Sequence, residues 1–430
     1  MATKTAIRFF LLSVLFAGIA LPPHMYAANA LRWKGAKIQI GISSSLFREN
    51  SNIVRGSDID GAIRRSLEAW EMAANVEFVV VNTDKQNASP AGPAGDGISV
   101  ITNAGSAENV LLFTKDAEQV AATTRVFYNG RGYITEADIV LNPYQQFSTD
   151  GTPGTFDFQS AVTHEVGHLL GLEHSSVLGA TMHESYAKNG VYGLQNFAPR
   201  TLAASDIAAV RAIYGPRDDA QCCGQATGKL TLPNGRPAKT ADVWLENSDG
   251  AVITKSSTAG DGSFHFAGLD YGTYKLFTQT DASTNGFPAQ QLGEVAIDGN
   301  EPAPFVKRII PGQRQIELTY IGFNGQLSDV AVSLNAGRTY TIYLGGKKLD
   351  PKTISISFNS PYFSVVPNTI RSQEYDQISV VSVDVRIAPR TPKGDYSIAV
   401  SSAGDRSYIA GGLSVESFAN TLSSTQFFDE

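Results

Sequence analysis

His164-Glu165-Val166-Gly167-His168-Leu169-Leu170-Gly171-Leu172-Glu173-His174 is the stretch that decides how this chain is read. His164 and His168 stand four apart, which on a helix puts both imidazoles on one face, about one turn from each other. Gly171 can take the positive φ that stops a helix and turns the chain back. His174 then approaches the same point from the far side. Three neutral imidazoles so arranged suit a zinc ion and leave a fourth position for water. Zinc acidifies such a water towards a pKa of about 7 and polarises a carbonyl. Glu165 follows the first ligand and is expected to take the water's proton and deliver it to a departing amine. The pattern therefore predicts hydrolysis of peptide bonds. A bare H-E-x-x-H arises by chance, but requiring the glycine and third histidine lowers that rate by a factor on the order of a thousand. Three of the chain's six histidines fall in this one motif.

Working outward, the motif lies on a helix expected over about 158–170. A second helix is expected over 57–74, with Ser57 as cap, Asp58 and Asp60 at its positive end, and Ile59, Ile63, Leu67, Trp70 and Ala74 on one face. A third runs from a cap at Ser205 through Ile207, Val210 and Ile213 to the terminator pair Gly215-Pro216. Strands are expected at 36–42, 77–81, 97–101, 124–128 and 133–141, the last two joined by the turn Asn129-Gly130-Arg131-Gly132. Residues 31–215 thus read as an α+β domain, a mixed sheet plus three helices. The polar run 216–223 reads as a linker. Short alternating runs between glycine turns follow, and 224–305 and 311–417 read as two all-β sandwiches. The Ser/Thr/Asn-rich 418–430 reads as a flexible tail. All the site residues precede Gly215, so 31–215 is expected to work as an independent unit.

The first thirty residues carry a basic start at Lys4 and Arg8, an apolar run over 9–20 and the small-x-small pattern Ala28-Asn29-Ala30. This predicts a secretory signal peptide, 1–30, because the run is shorter than the roughly 20 residues of a spanning helix. The expected destination is extracellular or periplasmic, with no membrane span in the mature chain. Losing Lys4 and Arg8, and no acid, takes the formal charge from −7 to −9. An acidic chain without basic clusters argues against nucleic acid as a partner. Cys222 and Cys223 are the only cysteines and are adjacent, so they are expected to be free thiols rather than a staple. A secreted chain of this length without a disulfide framework points to a bacterial product.

The motif resembles the metzincin metallopeptidases, and further residues narrow the resemblance to their matrixin branch. Ser175-Ser176 after the last ligand, Gly179-Ala180-Thr181-Met182 as the Met-turn, Asp58-Ile59-Asp60-Gly61-Ala62-Ile63 through Trp70, and Asp206-Ile207 to Tyr214-Gly215 are all similar to matrixins. The resemblance covers about 31–215 and implies that Met182 forms the hydrophobic base under one catalytic zinc. It departs from that family in several places. No cysteine precedes Cys222, so no thiol-bearing propeptide is expected ahead of the domain, and no histidines between 31 and 163 could bind a second zinc. Glu184 and Tyr186 match the pocket wall beyond the Met-turn only in part. Tyr186 and His183 are the candidate pocket residues. Calcium is a candidate near Asp138 or the 129–132 turn. Gly228, Gly235-Arg236-Pro237 and Gly272-Thr273-Tyr274 make 224–305 similar to carboxypeptidase-regulatory or transthyretin-like modules, and Gly394-Asp395-Tyr396 makes 311–417 similar to immunoglobulin-like ones.

Two functions follow. The first is a secreted zinc endopeptidase of proteins and peptides, its accessory sandwiches binding a surface or the substrate. The second is an extracellular adhesive protein whose peptidase domain is minor or inactive. The complete histidine triad with Glu165 favours the first, since a degenerate enzyme loses such groups.

Overall fold

The computed structural model describes residues 31–415 apart from 50–51, 91, 93, 114–119, 186, 191–199, 219–221, 281–286, 301 and 376. The expected signal peptide, the tail and Tyr186 lie outside the described residues.

Residues 31–214 build a sheet of six strands: β1 (Arg32–Trp33), β2 (Lys37–Ser43), β3 (Glu77–Thr83), β4 (Val100–Thr102), β5 (Ala122–Tyr128) and β6 (Tyr133–Leu141). The order runs β3-β2-β4-β6 with parallel pairings, and β1 adds parallel to the start of β6. β5 is antiparallel and, among the described residues, pairs only with β6, which makes it an edge. Its partner returns through the turn at 129–132, closed by Gly132 N–H to Asn129 O.

Among the described residues four α-helices accompany the sheet: α1 (Ile59–Ala73), the single turn α2 (Ala107–Val110), α3 (Phe158–Leu169) and α4 (Ala204–Tyr214). The caps differ from expectation by one or two residues. Asp58, not Ser57, caps α1, accepting from Gly61 N–H at 3.0 Å. α4 starts after Ala203 rather than at Ser205, and Asp206 reaches back to the Ala203 N–H at 2.9 Å. A carboxylate in the first turn can replace a hydroxyl at the cap, because both satisfy the same orphan donors.

α3 is buried along nearly its whole length. α1 lies beside it, and Trp70, fully buried, donates its Nε1–H to Thr163 O at 2.8 Å. Removing a ring so enclosed costs about 3–5 kcal/mol. The last carbonyls of α3, which a helix leaves without partners, are taken by distant side chains. Trp33 Nε1–H donates to Leu169 O at 2.9 Å, and Tyr214 O–H donates to Leu170 O at 2.7 Å. First strand and last helix thus both fasten the end of the motif helix.

Beyond the α+β part, residues 222–308 form a four-stranded and a three-stranded sheet around one apolar core. Residues 317–415 form a six-stranded and a four-stranded sheet around another. Cys222 opens the first strand of this region, inside the segment read as a linker. The two cysteines are not free thiols as expected: they are bonded to each other. Sulfurs on consecutive residues lie within bonding reach wherever the backbone between them permits. With no free cysteine among the described residues, no thiolate is left to reach a metal.

The expectation of an independent 31–215 unit meets an extensive interface. α4 packs on the second region, Arg211 pairing with Asp270 at 2.8 Å, and a separate apolar cluster joins all three regions.

Gly171 bears the turn after α3 with φ of 90°, and a Cβ there would run into the Leu31 carbonyl oxygen. Gly171→Ala is expected to lower unfolding stability by about 1–3 kcal/mol, the usual cost of such strain, read as a shift in the urea midpoint. An unchanged midpoint would show that the turn tolerates a side chain.

Candidate metal centre

α3 carries His164 and His168 on one face, and the reversal at Gly171 returns the chain so that His174 meets them. The Nε2 atoms of His164 and His168 lie 2.9 Å apart, and those of His168 and His174 lie 3.1 Å apart. On the outer side of the rings, His164 Nδ1 is 2.7 Å from Thr181 O and His168 Nδ1 is 2.8 Å from Leu172 O. A carbonyl can only accept, so each Nδ1 carries the proton and each Nε2 presents a lone pair inward. Lone pairs that face one another at about 3 Å repel unless a cation lies between them, and this is the donor arrangement a zinc ion takes. Among the described residues these three form the one His/Cys/Asp/Glu group compact enough to hold a metal ion. Burial lowers the pKa of all three, furthest for His164, keeping the rings neutral as ligands must be.

Met182 is buried against the motif helix, and Gly167 lets it approach. A Cβ at Gly167 would collide with Met182 Sδ and come within 2.9 Å of Trp70. The Met-turn itself is held by Asp206, whose carboxylate accepts from Thr181 N–H at 2.9 Å and Met182 N–H at 3.2 Å. Burial pushes Asp206 up to about 6.

Glu165 is buried, and burial pushes it up to about 7, opposed by a hydrogen bond from Thr124. Thr124 Oγ1 lies 2.6 Å from Glu165 Oε2 and 3.1 Å from Glu165 O. Sequence reasoning placed Thr124 on a strand and missed this contact; a hydroxyl pointing off a strand 41 residues away carries no motif. His183 has each ring nitrogen 3.3 Å from a backbone carbonyl, those of Ser175 and Asp329. It ties the end of the Met-turn to the third region.

Residues 32–215 match the family model described as matrixin. Over these residues the chain is similar to matrixins. Among its relatives, the chain is 27% identical over 177 residues to human matrix metalloproteinase-20, covering 41% of this chain and 31% of that protein. It is 40% identical over 73 residues to mouse matrilysin, covering 17% and 25%. It is 24% identical over 226 residues to metalloendoproteinase 1-MMP of Arabidopsis thaliana, covering 49% and 52%. The chain thus spans between a quarter and about half of the length of these relatives.

The calcium candidate near Asp138 has a different tenant. In the α+β domain the Lys85 ammonium sits 2.8 Å from Asp96 Oδ1, 2.6 Å from Ile98 O, and 3.5 Å from Ser89 Oγ, Glu136 Oε1 and Asp138 Oδ1. Glu136 and Asp138 stand on β6 and are fully buried. One cation inside a ring of oxygens offsets part of the cost of burying these acids. The remaining negative charge shows in Asp138, which burial pushes up to about 7 and the nearby Glu136 raises further, against Lys85 and the Ser89 N–H.

Two outcomes follow. Thr124→Val removes a hydrogen bond to a buried carboxylate, worth about 1.5–3 kcal/mol. It is expected to lower kcat by roughly ten- to a hundredfold at unchanged zinc content; wild-type kcat would dismiss the contact. Asp138 binds its proton more tightly folded, at about 7, than unfolded, at 3.8, so its contribution to stability is lost as pH rises through about 7. Urea midpoints at pH 5 to 8 are expected to fall with pH, with a shallower slope in Asp138→Asn. Parallel slopes would place the titration elsewhere.

Proposed function

We propose that this chain is a secreted zinc-dependent endopeptidase with Glu165 as general base. The observation that supports it most is the inward convergence of three imidazole Nε2 atoms beside a buried carboxylate. His164, His168 and His174 would hold one zinc ion. When bound, the ion supplies an acidified water and Lewis-acid polarisation of a carbonyl.

The chain's own groups do the rest. Thr181 O and Leu172 O keep the ligand rings in one tautomer. Thr124 Oγ1 fixes one oxygen of Glu165 and leaves the other to take a proton from the attacking water. Glu165 then gives that proton to the departing amine, so the carboxylate ends the cycle as it began. A nearby cation favours its ionised form, opposing the effect of burial. The substrate is expected to lie as an added strand along β5. Asn142 N–H donates to Ala121 O, and from that register the N–H groups of Ala122, Thr124 and Val126 point away from β6, available to an extended peptide.

The matrixin domain, the relatives with metalloproteinase names and the apolar N-terminal run support a secreted enzyme acting on proteins or peptides. Among the described residues no helix is long and apolar enough to cross a membrane. Glu165→Ala is expected to fold and bind zinc like the parent but to lose at least a thousandfold in turnover of a denatured protein, roughly the loss when a base and its charge both go. Substantial turnover by the zinc-loaded variant would remove Glu165 from the mechanism.

A further inference from the structure

The loop between the last ligand, His174, and Met182 is not a surface loop. Val177 and Ala180 are buried in the cluster that joins all three regions, against Trp244 and Phe277 of the second and Tyr408 and Ala410 of the third. The backbone comes as close as the side chains. A Cβ at Gly179 would collide with the carboxylate of Asp395, a buried residue of the third region. A Cβ at Gly411, in the same sheet, would lie 2.6 Å from Val177 Cγ1 and 3.6 Å from Leu178 N. Three residues beyond Val177–Leu178 comes Thr181, whose carbonyl accepts from His164 Nδ1 at 2.7 Å. A second tie lies just past the Met-turn, where Ser185 Oγ donates to Asp329 Oδ2 at 3.2 Å beside the His183 contact.

We propose that the C-terminal β region of 317–415 is the seat of the metal centre: the close packing of Gly179 on Asp395 and of Val177–Leu178 on Gly411 sets the 177–180 backbone and, through Thr181 O, the orientation of His164. The proposal rests on the metal centre argued above. A partner that orients a ligand histidine is worth about 10–100-fold in metal affinity, and here that partner is a backbone carbonyl whose place depends on another region. The β regions are then structural parts of the site rather than tethers to substrate.

The test uses the full chain and reads zinc affinity by competition with a chromogenic chelator, with no peptide present. No left-handed backbone is needed at Gly179, so Gly179→Ala tests the wedge against Asp395 alone. It is expected to weaken zinc binding by about 10–100-fold. Gly179→Ala with Asp395→Ala, which removes the obstructing carboxylate, is expected to recover most of that loss. In a second pair, Gly411→Ala weakens zinc binding, while Gly404→Ala does not. Gly404 has a similar positive φ of 82° in the same region but nothing within 4 Å of its Cβ position. Limited proteolysis is read alongside, with cleavage between 175 and 185 expected in Gly179→Ala and Gly411→Ala only. Unchanged zinc affinity and cleavage in Gly179→Ala would overturn the proposal. So would equal loss with and without Asp395, or equal loss in Gly404→Ala and Gly411→Ala. A parent that binds zinc but cleaves no protein would sink the endopeptidase reading and leave this one standing.

Discussion

Two backbone carbonyls, those of Thr181 and Leu172, decide which nitrogen of His164 and His168 faces inward. Each accepts the Nδ1 proton, so each Nε2 must offer its lone pair to the centre. Without them a histidine pair four residues apart on a helix is free to adopt either tautomer, and the pocket becomes a hydrogen-bonded cluster instead of a ligand set. Much of the domain serves to hold those carbonyls. Leu172 O follows the turn at Gly171, which Trp33, Tyr214 and the close packing on Leu31 keep in place. Thr181 O belongs to the Met-turn, which Asp206 holds from α4 and the β regions hold from below.

The motif helix and the sheet strands were legible because each is written in a local pattern. Alternation, a helical face, and ligands at fixed spacing survive in a short window of sequence. Strand limits and caps shifted by one to three residues, as at Asp58 and Ala203, because neighbouring polar residues offer competing caps. The contacts that tune the site were not legible. Thr124 and Glu165 are 41 residues apart, Asp206 and the Met-turn about 25, Gly179 and Asp395 more than 200. Nothing periodic links such pairs; only the folded chain brings them together. The adjacent cysteines misled for a related reason, since their spacing is the same whether or not they are bonded.

The division into one α+β part and two β parts was read from a change of pattern after Gly215, and the sheets follow that change. Functional independence is a separate question from that change of pattern. A boundary in pattern marks where one kind of secondary structure stops, while the apolar cluster around Val177, Trp244 and Tyr408 shows three regions completing a single interior. Small interfaces between domains permit relative motion, and large apolar ones suppress it.

The Lys85 cage has a consequence of another kind. A dissolved cation holds its place only while its concentration exceeds its dissociation constant, so a fold that relies on one gains stability by mass action and loses it on dilution. An ammonium on the end of a side chain has no concentration to fall. Its occupancy is set by the closing of the chain around it, at the effective concentration of any tethered group. At this cage, the two acids buried on β6 keep a countercharge whatever ions the medium holds, for as long as Lys85 stays protonated.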